Sequence, residues 1–221
     1  MRPGRRLVLS RSPRVSALSL LLLAALSLPA WGGPSLGFRE DWPGTSDQGW
    51  TGGAEVVNPG SGGVDGAADG FLMVSTPIVS HLGTVSTGAE YAGDWIATGI
   101  EVVLLWLNDV GNAQPLEIHF SIGNQFNLWQ YNVGFHPPLD EWQEFMVDLT
   151  SAGNFTQIIG TASFSSALQN VDRIHIRHDL APFVQTPDAI QGDFGLDRLT
   201  LTNLATPAAR TSWGRIKRLY R

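Results

Sequence analysis

Short runs in which apolar and polar residues alternate recur along the middle of the chain, separated by clusters of Gly, Pro, Asn and Asp. The clearest is Leu116–Ile122: Leu116, Ile118, Phe120 and Ile122 fall on one face and Glu117, His119 and Ser121 on the other. That period of two is the mark of a half-buried β-strand. Similar runs occupy Phe38–Trp42, Phe71–Ser75, Gly99–Leu107, Phe126–Val133, Trp142–Leu149, Arg173–His178 and Leu196–Thr202. Asn108–Asn112 and Gly123-Asn124 read as turns between them. One segment, Phe164–Asn170, suits a short helix, and no longer stretch carries a helical period. The predicted fold class is all-β: a two-sheet antiparallel β-sandwich of jelly-roll type with at most one short helix. Trp106 and Trp142 lie in strongly apolar runs and are expected in its core.

The two ends read differently. Five arginines in the first 14 residues lead into an apolar run, Ala17–Ala30. That run is short for a bilayer span, which takes about 20 residues, and fits the core of a secretory signal peptide. Small residues at Ala30 and Gly32 place cleavage before Gly33, so residues 1–32 are the expected signal peptide and 33–205 the β-sandwich domain, in a secreted or extracytoplasmic protein. Residues 206–221 form a basic tail. Trp213, Ile216 and Tyr220 make one stripe amid Arg215, Lys217, Arg218 and Arg221, a pattern that suits contact with an anionic envelope surface or a secretion partner. No transmembrane segment is expected in the mature chain.

Charge and cysteine count narrow the chemistry. All 20 acidic residues lie between residues 38 and 204 with only four arginines, a net charge of −16 over that stretch. Such a surface repels phosphate backbones, which excludes nucleic acid as a partner. The chain has no cysteine, so disulfides, thiolate metal sites and a thiol nucleophile are excluded.

Several stretches resemble secreted bacterial jelly-roll domains. They are Glu40-Asp41-Trp42 with Gly49-Trp50, Asp69-Gly70-Phe71-Leu72-Met73-Val74, Trp142 with Phe145 and Val147-Asp148-Leu149, and the two final strands around Val171–Arg177 and Leu196–Leu201. The set is similar to laminin type IV (B-like) domains and to galactose-binding-like carbohydrate-binding modules over roughly residues 38–203. The resemblance implies a non-enzymatic module that binds an extracellular glycan or matrix component. It also implies a structural calcium ion tying the early chain to the last strand, with Glu40, Asp41, Asp69 and Asp197 as candidate ligands; calcium takes six to eight oxygens, which carboxylates and loop carbonyls supply.

For the ligand itself, Trp129, Tyr131 and Trp95 offer flat rings for the C–H faces of sugars, with Gln130 and Asn127 placed to take hydroxyls. Core packing is the competing role for each ring. His119 and His175 point away from the core, and with Glu117 or Arg177 nearby either could serve in a Brønsted pair. A small polysaccharide lyase or hydrolase using His119 and Tyr131 is therefore one alternative, and an adhesive cell-surface protein recognising protein is another. His175 and His178 fall on opposite faces of one strand, the wrong geometry for a shared metal. Asn154-Phe155-Thr156 matches a glycosylation acceptor.

Overall fold

The computed structural model describes residues 32–111 and 114–204. The expected signal peptide, up to Trp31, and the basic tail lie outside the described residues. Eleven strands are present among the described residues: β1 Arg39–Glu40, β2 Glu55–Val57, β3 Leu72–His81, β4 Gly83–Ser86, β5 Val102–Asp109, β6 Ile118–Asn124, β7 Asn127–Tyr131, β8 Gln143–Asp148, β9 Phe155–Ile159, β10 Arg173–His178 and β11 Ala189–Thr202. Two short helices, α1 Trp95–Thr98 and α2 Phe164–Gln169, interrupt them. The first sheet runs β2-β3-β11-β5-β8, with β1 also paired to β11; the second runs β4-β10-β6-β7-β9, and every strand pair is antiparallel. This is the predicted β-sandwich. No helix among the described residues is long and apolar enough to cross a membrane.

The core follows from alternation on both sheets. Val103, Leu105 and Leu107 of β5 meet Ile118, Phe120 and Ile122 of β6 and Ile174 and Ile176 of β10, all buried. Burying side chains of this size stabilises by roughly 1.5–3 kcal/mol each before entropy is counted. Along β11 the core positions change parity. Phe194 and Leu196 are buried, then Leu199 and Leu201, because a register shift between Asp197 and Thr200 inserts Arg198 at φ 48°. The bulge re-aims the strand and leaves Asp197 on the outer side, opposite Trp106.

The helices have local causes. Asp94 caps α1 by accepting from the Ala97 N–H at 2.9 Å, and Gly99 ends it in the left-handed region at φ 76°. Ser163 caps α2 by accepting from the Ser166 N–H at 3.2 Å. The β6–β7 hairpin needs Gly123: its φ is 144° and any Cβ there would strike the Asn127 carbonyl.

Two core expectations are corrected. Trp106 sits on the outer face of the first sheet, with the Arg198 guanidinium 5.9 Å over its ring. Trp142 stacks edge-on against Phe71 and donates to the Gly62 carbonyl at 3.0 Å, outside the core. Trp142 is held by the 60–70 loop and Trp106 is covered by Arg198, both outside the inter-sheet layer. Trp42, Trp50 and Trp95 are the fully buried tryptophans instead.

Candidate functional site: the strapped face and its end cavity

The second sheet turns a polar face outward. Register sets His175 opposite Ser121, Ser121 opposite Gln130, and Arg177 opposite His119. These residues alternate with the core positions, so they point away from the sandwich. Polar side chains in that position are ordinarily solvated, yet His119, Ser121, Gln130 and Arg177 are all buried.

Their cover is the segment Asp179–Asp188, which links β10 to β11 as a strap across the face. Arg177 holds it by donating to the carbonyls of Val184 and Gln185 and to the Asp179 carboxylate. The Phe183 ring meets His119 edge-on at 4.7 Å. The Leu180 N–H donates to Asp188 Oδ2 at 2.8 Å, pinning the two feet of the strap together. Beneath it, Ser121 donates to Gln130 Oε1 at 3.3 Å and Gln130 Nε2 donates to Asp179 Oδ2 at 2.9 Å. Buried polar groups persist where they are paired in this way.

A cavity opens on each side of the strap. The smaller, about 250 Å³, lies along Gly83, Val85, His175, Arg177 and Pro187. Here His175 Nε2 and Arg177 Nε are buried with no hydrogen-bond partner among the described residues. Burial, followed by the neighbouring Arg177 charge, pushes the His175 imidazole down to about 4, so the ring is neutral.

The larger, about 610 Å³, opens at the end of the sandwich and is lined by Glu117, His136, His178, Leu180, Asp188 and Ile190, among others. Glu117 Oε1 lies 3.1 Å from His119 Nε2, while Oε2 has no partner among the described residues. Glu117 packs directly over Gly134, where any Cβ would collide with the Glu117 side chain. The Glu117 N–H donates to His178 Nδ1 at 3.2 Å, so His178 carries its proton on Nε2. His136 Nδ1 lies 3.0 Å from the Leu116 carbonyl, which can only accept, so Nδ1 carries a proton. Burial lowers the His178 imidazole, opposed by the Asp188 and Asp179 charges.

The aromatic residues singled out in the sequence are not assembled into one platform. Tyr131 is 7% exposed and sits in the core against Phe135 and Phe155. Trp95 is fully buried and donates to the Tyr91 carbonyl at 2.7 Å. Trp129 is half-buried on Phe164 and donates to Asn127 Oδ1 at 2.9 Å; Asn127 in turn donates to the Ser163 carbonyl at 3.0 Å. These two position the start of α2. Gln130 alone of the set lies on the strapped face. Asn154, the glycosylation match, donates to the Asp148 carbonyl at 3.2 Å.

The four candidate calcium ligands are divided. Asp69 Oδ2 and Asp197 Oδ2 converge on Gly63, whose Cβ would lie 2.7 and 2.9 Å from them. Val64 N–H donates to Asp197 Oδ2 at 2.9 Å and Asp65 N–H to Asp69 Oδ2 at 2.7 Å. Glu40 lies elsewhere, accepting from the Tyr91 hydroxyl at 3.4 Å, and Asp41 pairs with Arg39. Among the described residues, no three His, Asp or Glu side chains converge closely enough to hold a metal ion. Burial, with Asp69 and Asp41 nearby, raises the Asp197 carboxyl to about 6.

No protein-family model matches the chain, and no curated protein does. Among solved structures, the chain is similar to part of an exo-β-agarase at 10% identity, with a TM-score of 0.52 over 77% of this chain and 25% of that one. It is also similar to a family 11 carbohydrate-binding module of Clostridium thermocellum solved with a β-1,3-1,4-mixed-linked tetrasaccharide, at 18% identity and a TM-score of 0.46 over 76% of this chain and 97% of that one. A third is the CBM22-1 xylan-binding domain of Paenibacillus barcinonensis Xyn10C, at 14% identity and a TM-score of 0.44 over 78% of this chain and 100% of that one. At these identities the likeness is one of fold, a β-sandwich, which the agarase match carries. The laminin half of the sequence resemblance gains nothing from these three.

Proposed function

We propose that the chain is an exported, non-enzymatic glycan-binding module and that the end cavity beside the strap is its ligand site. The observation that carries this reading is the cavity lined by Glu117, His136, His178 and Asp188. Its volume of about 610 Å³ falls in the roughly 300–1,000 Å³ range of small-molecule sites. It sets apolar walls, Leu116, Leu180 and Ile190, beside a few convergent polar groups. A sugar ring presents the same two aspects, apolar C–H faces and a rim of hydroxyls. Sharing a fold with a segment of an agarase supports the reading without fixing the sugar, since one fold hosts many sites.

Titrating the full chain with soluble β-glucan, xylan and agarose oligosaccharides tests the proposal. Binding of at least one is expected, and His178→Ala should weaken it by at least about tenfold, a loss of about 1.4 kcal/mol. An unaltered affinity in that variant would place the ligand elsewhere.

Calcium is proposed in a narrower form than the four-residue set, at Asp69 and Asp197 with loop carbonyls. A cation there would relieve two carboxylates, the buried Asp197 and the half-buried Asp69, that face one point. At a calcium concentration of about 100 times the dissociation constant, linkage adds about 2.7 kcal/mol to stability. The melting temperature is then expected to rise on adding calcium and to fall with chelator, and Asp197→Asn should erase the response. Identical melting curves in chelator and in millimolar calcium would reject the site.

A further inference from the structure

We propose that the end cavity selects a glycan bearing a free primary amine, such as a glucosamine oligomer, through Asp188 and Glu117. This rests on the glycan reading above and sharpens it. Among the described residues no lysine or arginine lines the cavity, while two carboxylates do. Each carboxylate has one oxygen already engaged: Asp188 Oδ2 by the Leu180 N–H, and Glu117 Oε1 by His119. The engaged oxygens fix both side chains, and Asp188 Oδ1 and Glu117 Oε2 remain as acceptors.

The side-chain donors of the lining are the exposed Gln114 amide and, deeper in, His178. It is 4% exposed, its Nδ1 is taken by the Glu117 N–H, and its Nε2–H meets no acceptor among the described residues. Two carboxylates with no cationic side chain beside them suit an ammonium, which has three N–H donors and no acceptor, with a neighbouring hydroxyl oxygen left to accept from His178. A neutral sugar brings no charge to offset the two carboxylates. The surrounding charge acts in the same direction. The stretch from 38 to 204 carries −16, so a cationic glycan is drawn to it and an anionic one repelled.

Calorimetric titration of the full chain at neutral pH separates the outcomes, using a glucosamine tetramer, its fully N-acetylated counterpart and cellotetraose. Acetylation removes the charge and two donors while keeping the ring. The amine tetramer is expected to bind at least about tenfold tighter than either neutral one. Asp188→Asn and, separately, Glu117→Gln should each reduce that ratio severalfold. Equal affinities for all three tetramers would overturn the amine preference and leave the glycan reading standing. Binding by none would overturn both. A preference that survives both substitutions would show general attraction to an acidic surface and would overturn the assignment to this cavity.

Discussion

Arg177→Ala is expected to destabilise the protein by about 3–5 kcal/mol, the cost of breaking a buried ion pair from one side. Arg177 is 2% exposed and its partner Asp179 1%. Removing the guanidinium strands a buried carboxylate with Gln130 Nε2 as its remaining side-chain donor. It also releases the carbonyls of Val184 and Gln185, the grip on the middle of the strap. The damage is thus both global and local. The denaturation midpoint should fall, and the strap should become the first site of proteolytic nicking, because its outer residues Ala181, Pro182 and Thr186 are already exposed. Arg177→Met combined with Asp179→Leu should recover much of the loss, since neither charge is then left unpaired in the interior. A single variant within about 1 kcal/mol of the parent, with an uncut strap, would mean that the ion pair does not hold the cover down.

Glu40→Gln is expected to make the protein more stable at pH 8 and to leave it nearly unchanged at pH 4. Glu40 is buried, and desolvation, then the neighbouring Glu90 charge, raises its carboxyl from 4.5 to about 7. Its folded-state value lies above the unfolded one, so its contribution is full below about 4.5 and is lost as pH rises through 7. One pKa unit is 1.36 kcal/mol, which puts the loss at about 3 kcal/mol across that window. Asp197, raised from 3.8 to about 6, acts in the same direction at lower pH. His175 opposes both: lowered from 6.5 to about 4, it contributes fully above 6.5 and loses that contribution as pH falls toward 4. Between 6.5 and about 7 only the Glu40 effect remains, and stability should fall with rising pH there. The variant keeps an acceptor for the Tyr91 hydroxyl and carries no charge to desolvate. Unfolding free energies of parent and variant, measured from pH 4 to 8, check this. A difference that stays constant with pH would show that Glu40 titrates alike in the folded and unfolded chain.

The period of two along Leu116–Ile122 placed β6 with its core face and its polar face, and the same logic held for β5, β10 and the end of β11. Three strands were not legible. β2 has three residues, β9 mixes Thr and Gln among its apolar positions, and β4 buries Thr84 and Ser86 where a core strand would carry aliphatics. Thr84 is accommodated because its hydroxyl donates to the Thr51 carbonyl at 2.8 Å, a partner 33 residues away that no local pattern reveals. The aromatic residues of β7 misled for a related reason. Alternation says that Trp129 and Tyr131 share a face, and both do face inward, but it cannot say that Phe155 and Phe164 from later elements close over them.

The amino-acid sequence by itself determined the sandwich, the acidic character of its surface and the outward aim of His119 and His175. Each follows from short-range periodicity or from counting charges, which need no knowledge of what packs against what. Only the tertiary structure decided that those outward residues are covered and where a ligand can enter. The strap begins at Asp179 and reads in sequence as a connecting loop with two prolines; the Arg177 guanidinium makes it a cover. Glu117, His136, His178 and Asp188 come from four separate places in the chain and share a cavity because β6, β10 and the entry to β11 end together. Sequence periodicity reports which face a side chain takes. Convergence of side chains from distant segments depends on strand order and loop course, which are set by the global packing of two sheets.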